Sequence, residues 1–189
     1  MRGPVLVSGF GPFLDVVANP SGLVADALSG DPGVHGIVLP VSFVRSAQAL
    51  DAALRGMPRP PRALLGLGVH RGATLRVERG ARSQLESRSP DVDGMRGATL
   101  ALAGAALLET VCDVRRLADR LRELDVAPVE ISGDAGGYVC ERMYRHMLEL
   151  GESSGVPAVF LHVPPLEVLP LEAQVRAARL LLAELRATA

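Results

Sequence analysis

One cysteine of this sequence stands where a thiol could act as a nucleophile. The segment ISGDAGGYVCERMYRH (residues 131–146) contains an apolar strand end, a turn of small residues, and Cys140 at the start of a helical pattern. The first turn of a helix has unpaired backbone N–H groups and the positive end of the helix dipole, which favour a thiolate and can hold an oxyanion. Cys140 is therefore predicted to be a nucleophile. The other cysteine, Cys112 in LLETVCDV, is expected to be a buried small hydrophobe.

A nucleophilic thiol needs a histidine that moves its proton and a group that orients the histidine. His162 ends the apolar run AVFL, where a titratable residue is out of place, although a hydrogen-bonded core histidine would explain the pattern equally well. Among the 21 carboxylates, Glu78 in LRVERG is the first candidate for the orienting group because it follows a short strand pattern. Asp91 in SPDVDG is its rival, and the residues alone leave both possibilities open.

Composition limits the classes of function. The net charge is −1 at pH 7, the aromatic content is 3%, and tryptophan is absent, which argues against partners such as nucleic acid or an anionic membrane. All 20 basic residues are arginine, so lysine Schiff-base chemistry is excluded. Two cysteines without a C-x-x-C pair predict neither a disulfide framework nor a structural zinc site. No apolar run is long enough to span a bilayer, and a cytoplasmic location is expected.

The elements that must position these residues alternate along the chain. The 189 residues predict a single domain, residues 1–189, of the α/β class. Continuous apolar runs predict strands near 4–8, 36–41, 63–67, 74–77, 127–131 and 157–163, and helical periodicity predicts helices near 21–28, 46–55, 114–124, 138–150 and 171–185. Ser21 is expected to cap the first helix. This alternation predicts a mostly parallel sheet covered on both faces, with functional residues beyond the carboxyl ends of its strands.

Residues 68–97 differ from the rest of the chain because they are rich in Gly, Arg and Ser and have little apolar periodicity. Long irregular segments are usually functional or mobile. Glu78 lies in this segment, so the sequence leaves open whether the site is ordered without substrate. Residues 100–110 are Ala- and Leu-rich and do not indicate one type of element.

Five motifs, in order along most of the chain, resemble those of pyroglutamyl peptidase I, also called pyrrolidone-carboxylate peptidase. They are GFGPF with the following NPS, GVHRGATLRVERGARS, RSPDVDG, ISGDAGGYVC and FLHVPPL. The resemblance implies a three-layer α/β/α sandwich with a mostly parallel twisted sheet. It also implies a homo-oligomer (tetramer or dimer), no metal or organic cofactor, and removal of N-terminal pyroglutamate (5-oxoproline) from peptides.

The same resemblance implies roles for individual residues. Cys140 would form a thioester, His162 would move the proton, and Glu78 would orient the imidazole. Arg88, in the same motif as Asp91, would stabilise the oxyanion with backbone N–H groups near Cys140. The side chains expected to bind the substrate ring are Phe10, Phe13 and Tyr138. An uncharged ring needs apolar walls and a few amide-directed hydrogen bonds, which agrees with these roles.

This sequence also departs from the family pattern. Leu14-Asp15 stand where Gly-Gly is usual, Gly137 where Thr is usual, and Glu141 where Asn is usual. If the Glu141 carboxylate faced Cys140, its negative charge would oppose the thiolate. Two alternatives therefore accompany the peptidase interpretation: a related thiol amidohydrolase acting on another small cyclic amide, and a catalytically weak member that binds ligands.

Overall fold

Strands and helices alternate in the computed structural model of the protein, which describes residues 3–97, 100 and 102–188. The strands are β1 (Val5–Phe10), β2 (Val34–Leu39), β3 (Ala63–Val69), β4 (Leu75–Glu78), β5 (Gly80–Arg82), β6 (Leu107–Glu109), β7 (Val129–Ser132) and β8 (Ala158–Val163). The helices are α1 (Pro20–Leu28), α2 (Arg45–Gly56), α3 (Val114–Arg122), α4 (Val139–Ser154) and α5 (Leu171–Thr188).

Six strands form the main sheet, in the order β2-β1-β3-β8-β4-β7. Every neighbouring pair is parallel except β4 and β8, which are antiparallel. The predicted mostly parallel sheet is therefore confirmed. Because β4 and β7 run opposite to the other four strands, the amino-terminal end of β4 lies at the edge of the sheet where β8 ends.

Helices cover both faces of this sheet, as the alternation predicted. On one face, α1, α3 and α5 pack on strand residues such as Val5, Leu65 and Leu161. On the other face, α2 and α4 pack on the intervening residues, such as Leu6, Leu64 and Phe160. The strand side chains alternate between two hydrophobic cores because successive residues point to opposite faces. The three-layer α/β/α sandwich is confirmed, and the described residues include no helix able to cross a membrane.

Two local predictions differ from the structure. The N-cap of α1 is Asn19, not Ser21: the Asn19 side chain accepts the Ser21 N–H, and Pro20 opens the helix. Residues 68–97 also contain more regular structure than their composition indicates: besides β4, which confirms the strand predicted near 74–77, β5 pairs with β6 in a two-stranded antiparallel sheet. Strands of three or four residues are too short to show a periodicity.

Candidate active site

His162 on β8 lies beside Glu78 on β4. The imidazole Nδ1 is 2.8 Å from Oε1 of Glu78, and both side chains are buried. The register pairs Glu78 with Phe160, two residues before His162, so the carboxylate and the ring are diagonal neighbours on one face of the sheet. A carboxylate at Nδ1 fixes the orientation of the ring and leaves Nε2 for another partner.

Cys140, the second residue of α4 after the N-cap Tyr138, is the candidate for that partner because its side chain acts on the pKa of His162. The thiol and the imidazole lie over the same backbone position, Gly68, which pairs with His162 in the β3–β8 register. A Cβ atom at Gly68 would lie 2.8 Å from Sγ of Cys140 and 2.9 Å from Cδ2 of His162. Gly68 therefore provides the space in which the two side chains meet.

The partners of His162 favour its charged form. Burial acts to lower the pKa of His162, but hydrogen bonds and negative charge from Cys140 and Glu78 outweigh burial and raise that pKa to about 9. The imidazolium is therefore stabilised between the sulfur and the carboxylate. Such an arrangement can hold a thiolate nucleophile and a proton donor side by side.

The turn before Cys140 is held by Glu141. Its carboxylate accepts the N–H of Gly137 at 3.1 Å and the N–H of Arg82 at 2.5 Å, and it lies 3.4 Å from the Arg82 guanidinium. Asp134 closes the same turn by accepting the Gly136 N–H at 2.8 Å. The Glu141 carboxylate thus binds the turn. Gly137 in this turn has a φ of +60°, a conformation that favours glycine over the threonine that is usual at this position.

An apolar cavity of about 190 Å³ opens next to Cys140 and His162. Its walls include the three aromatic residues predicted to bind the substrate ring: Phe10, Phe13 and Tyr138. The rings of Phe13 and Tyr138 have centroids 6.1 Å apart and planes inclined by 34°. The cavity therefore combines a flat apolar slot with a thiol–imidazole pair, as a site for a small ring would require.

Asp91 supports this cavity from behind. Its buried carboxylate accepts the N–H groups of Phe43 at 2.8 Å, Asp93 at 2.9 Å and Met95 at 2.8 Å, so it braces a loop and does not contact His162. Of the two carboxylates that the sequence left open, the structure brings Glu78 to the histidine. The Tyr138 hydroxyl forms a hydrogen bond to the same loop.

Tyr138 is fixed at both ends of its side chain. Its hydroxyl donates to the carbonyl of Pro90 at 2.8 Å, and its ring packs edge-on against Phe43 with centroids 5.3 Å apart. Burial, together with the charges of Asp91 and Cys140, raises the pKa of Tyr138 to about 12, so the hydroxyl stays neutral and donates. The loop that contains RSPDVDG (residues 88–94) therefore positions one wall of the cavity.

The structure does not bring Arg88 to this cavity. Arg88 is exposed, and its backbone carbonyl accepts a hydrogen bond from the Arg96 guanidinium. The oxyanion role of Arg88 therefore stays a prediction. The backbone N–H groups in the first turn of α4 lie closer to the thiol in the chain and have no intrahelical acceptor.

The cavity wall includes residues that were not among the predicted site residues, and His70 and Arg76 are two of them. Arg76 lies opposite His162 in the β4–β8 register and shares a face of β4 with Glu78, a relation that the two-residue period could have indicated. His70 follows β3, at a strand end of the kind that commonly carries functional residues. Its ring lies 6.0 Å from that of His162, nearly perpendicular to it.

No cluster of three or more metal-ligating side chains occurs in the part of the chain that the structure describes. The described residues around Cys140 instead offer a thiol, an imidazole, a carboxylate and backbone N–H groups. These are the groups that nucleophilic attack on an acyl carbon uses.

Comparisons with known proteins agree with this geometry. Residues 3–176 match the family model for pyroglutamyl peptidase. A pyrrolidone-carboxylate peptidase from Halalkalibacterium halodurans is 34% identical, over 87% of this chain and 85% of that protein. The crystal structure of pyrrolidone carboxyl peptidase from Fervidobacterium islandicum has a TM-score of 0.87 and 30% identity, and the match covers 98% of this chain and 99% of the other.

A third comparison extends the likeness to a hyperthermophile. The pyrrolidone carboxyl peptidase of Pyrococcus furiosus has a TM-score of 0.88 and 26% identity, over 97% of this chain and 98% of that chain. The match to the family model covers most of the chain, and the similar proteins match nearly their whole lengths. The chain belongs to the pyroglutamyl peptidase family, a family of cysteine peptidases.

Proposed function

We propose that this chain carries out the pyroglutamyl peptidase activity of its family through a thioester formed on Cys140. The observation that supports this proposal is the arrangement of Glu78, hydrogen-bonded to His162, with Cys140 beside His162 and an apolar cavity of about 190 Å³ next to them. N-terminal pyroglutamate is an uncharged ring, so an apolar slot with a nucleophile at its end fits it.

In the first half of the reaction, the Cys140 thiolate attacks the acyl carbon that joins pyroglutamate to the next residue. The new C–S bond makes a tetrahedral oxyanion, which backbone N–H groups at the start of α4 stabilise. The C–N bond then breaks, and His162 gives its proton to the departing amine. Glu78 keeps the imidazole in the required orientation.

In the second half, water attacks the thioester and gives its proton to His162. The C–S bond breaks, pyroglutamate leaves, and Cys140 and His162 return to their starting state. Phe10, Phe13 and Tyr138 hold the ring during both halves. Arg88 is retained as a predicted oxyanion partner, which would require its exposed side chain to reach the cavity.

A chromogenic pyroglutamyl amide tests this proposal. Cys140→Ala is expected to lower kcat/KM by at least about 10³-fold, because the nucleophile is lost. Cys112→Ala is the matched control: this thiol lies outside the cavity, and burial raises its pKa. Absence of cleavage by the wild type, with slow alkylation of Cys140, would instead support a catalytically weak ligand-binding member.

Specificity for the ring is tested with a prolyl amide of the same leaving group. Prolyl has a charged ring nitrogen, which the apolar slot would leave without compensation. We expect no measurable cleavage of the prolyl amide under conditions in which the pyroglutamyl amide is cut. Comparable rates on both amides would contradict the assignment of the aromatic cavity to pyroglutamate.

We also propose four properties of the whole protein. They are a single domain over residues 1–189, a homo-oligomer (dimer or tetramer), peptides with N-terminal pyroglutamate as the partners, and a cytoplasmic location. A molar mass of two or four chains by light scattering would support the oligomer, and a mass of one chain would contradict it.

A further inference from the structure

A second groove adjoins the catalytic cavity. It has a volume of about 490 Å³ and shares three wall residues with the cavity: Phe13, Val69 and His70. The two spaces are therefore continuous, and the shared residues form the boundary between them. The cavity holds Cys140 and His162, whereas the groove extends away from them toward Leu166.

The groove has an apolar floor and a charged rim. The floor consists of half-buried or buried apolar residues: Val16, Pro20, Val69, Pro165 and Leu166. The rim includes three exposed charged residues, Asp15, Arg71 and Glu167, together with the exposed Val17 and Ala18. Two acids and one base give the rim a negative balance. This lining suits an apolar side chain and disfavours an acidic one.

A tight turn forms the wall between the cavity and the groove. The backbones of Phe13 and Val16 exchange two hydrogen bonds, of 3.2 Å and 2.8 Å, across Leu14-Asp15. Leu14 has a φ of +46°, which a residue with a Cβ atom adopts at a cost of about 1 kcal/mol or more. The turn keeps this unfavourable conformation, and it places Phe13 against the cavity and Val16 in the groove.

His70 marks the passage from one space to the other. Its Nε2 lies 2.6 Å from the carbonyl of Thr74, and its Nδ1 accepts the Gly72 N–H at 3.2 Å, so both nitrogens are held. Burial lowers the pKa of His70, and the charges of His162 and Arg76 act in the same direction against the Thr74 carbonyl and Glu78, so the neutral ring is favoured. Because the His70 ring is neutral and fixed, a peptide chain can run past it without transferring a proton to it.

The reaction requires the leaving amine to lie next to His162, because the imidazolium must reach its nitrogen. The acyl ring occupies the aromatic side of the cavity, so the chain that continues from the amine must leave by another side. We propose that it passes His70 into this groove, and that the groove selects peptides with an apolar residue directly after pyroglutamate. This inference rests on the proposed function, and it adds the class of substrate.

Three substrates that differ only in the residue after pyroglutamate test the inference: the pyroglutamyl-leucine, -alanine and -aspartate amides. For the wild type we expect kcat/KM to be about 10-fold or more higher for leucine than for alanine, because the larger side chain fills an apolar pocket. Aspartate is expected to be the poorest of the three, because it brings a charge to an apolar floor with a negative rim.

Leu166→Asp tests whether this groove is responsible for the preference for leucine. Val168→Asp is the matched control. Val168 lies on the same loop but is half-exposed and does not line the groove. We expect Leu166→Asp to reduce the leucine-to-alanine ratio to about 1, and Val168→Asp to keep the wild-type ratio. Because the readout is a ratio of substrates, a general loss of active enzyme does not change it.

Several outcomes would overturn the inference while the proposed function stands. The wild type could cut the chromogenic pyroglutamyl amide with no preference for leucine, or Leu166→Asp could keep the full preference. A ratio that changes in Arg76→Ala but not in Leu166→Asp would place the leaving peptide on the opposite side of the cavity. Failure to cut any pyroglutamyl substrate would instead overturn the proposed function and this inference together.

Discussion

At the scale of single residues, the chemistry depends on how two neighbours act on His162. Cys140 and Glu78 both raise the pKa of the imidazole, against the effect of burial, and bring it to about 9. A raised pKa means that the imidazolium persists below about pH 9 and is lost above it. Because we propose that His162 protonates the leaving amine, kcat/KM is expected to fall as the pH rises through that value.

The variant Glu78→Gln tests this electrostatic role. Removing the negative charge lowers the pKa of His162, so the alkaline fall in kcat/KM should move to lower pH, and kcat should decrease by about 10²- to 10⁴-fold. The measurement is a profile of kcat/KM against pH for the pyroglutamyl amide. Glu149→Gln, near the far end of α4, is the control and should keep the wild-type profile. An alkaline fall at the same pH in Glu78→Gln would contradict the assignment.

At the scale of one element, Glu141 holds the small-residue turn before Cys140 together with the first turn of α4. The carboxylate is fully buried and binds two backbone N–H groups and the Arg82 guanidinium. Burial raises the pKa of Glu141, while the N–H groups of Arg82 and Gly137 oppose that rise. The residue that departs from the family pattern beside the nucleophile therefore ties the turn to β5.

Glu141→Ala should destabilise the protein because it leaves the Gly137 N–H and the Arg82 groups without their acceptor. We expect a loss of about 2–4 kcal/mol in the free energy of unfolding, measured by urea denaturation. The control is Glu152→Ala on the same helix, which removes an exposed carboxylate and should cost less than about 1 kcal/mol. Equal losses in the two variants would show that Glu141 does not hold the turn.

At the scale of the whole molecule, the site is assembled from segments far apart in the chain. Glu78 lies on a strand inside the six-stranded sheet, His162 lies on the neighbouring strand, and Cys140 lies on a helix packed over them. Glu78 is fully buried, which argues against a site that orders only when substrate binds. The catalytic groups should therefore separate only when the sheet unfolds.

Urea unfolding tests this expectation. Loss of peptidase activity and loss of the circular dichroism of the sheet and helices should share one midpoint. Loss of activity at clearly lower urea, before any change in secondary structure, would contradict it. That result would support the alternative that residues 68–97 order conditionally.

The sequence predicted Cys140 and His162, which lie at the ends of a helix and a strand, better than it predicted Glu78, which lies inside the sheet. Cys140 and His162 could be found because a small-residue turn and an apolar run mark their positions. The residues alone could not decide between Glu78 and Asp91, although the family resemblance favoured Glu78, because the direction of β4 and its place beside β8 depend on long-range pairing. Gly68 was not recognised because its importance also depends on a long-range contact. The Cys140 sulfur lies over it.

The central claim is that Cys140 becomes acylated by the pyroglutamyl group. An activated pyroglutamyl ester, whose good leaving group makes acylation fast, should let the thioester accumulate before water cleaves it. Acid quenching followed by mass spectrometry of the digested protein is the measurement. We predict one 5-oxoprolyl group on the peptide that contains Cys140, and none in Cys140→Ala. Turnover of the ester with no adduct at Cys140, or with an adduct at Cys112, would contradict the account.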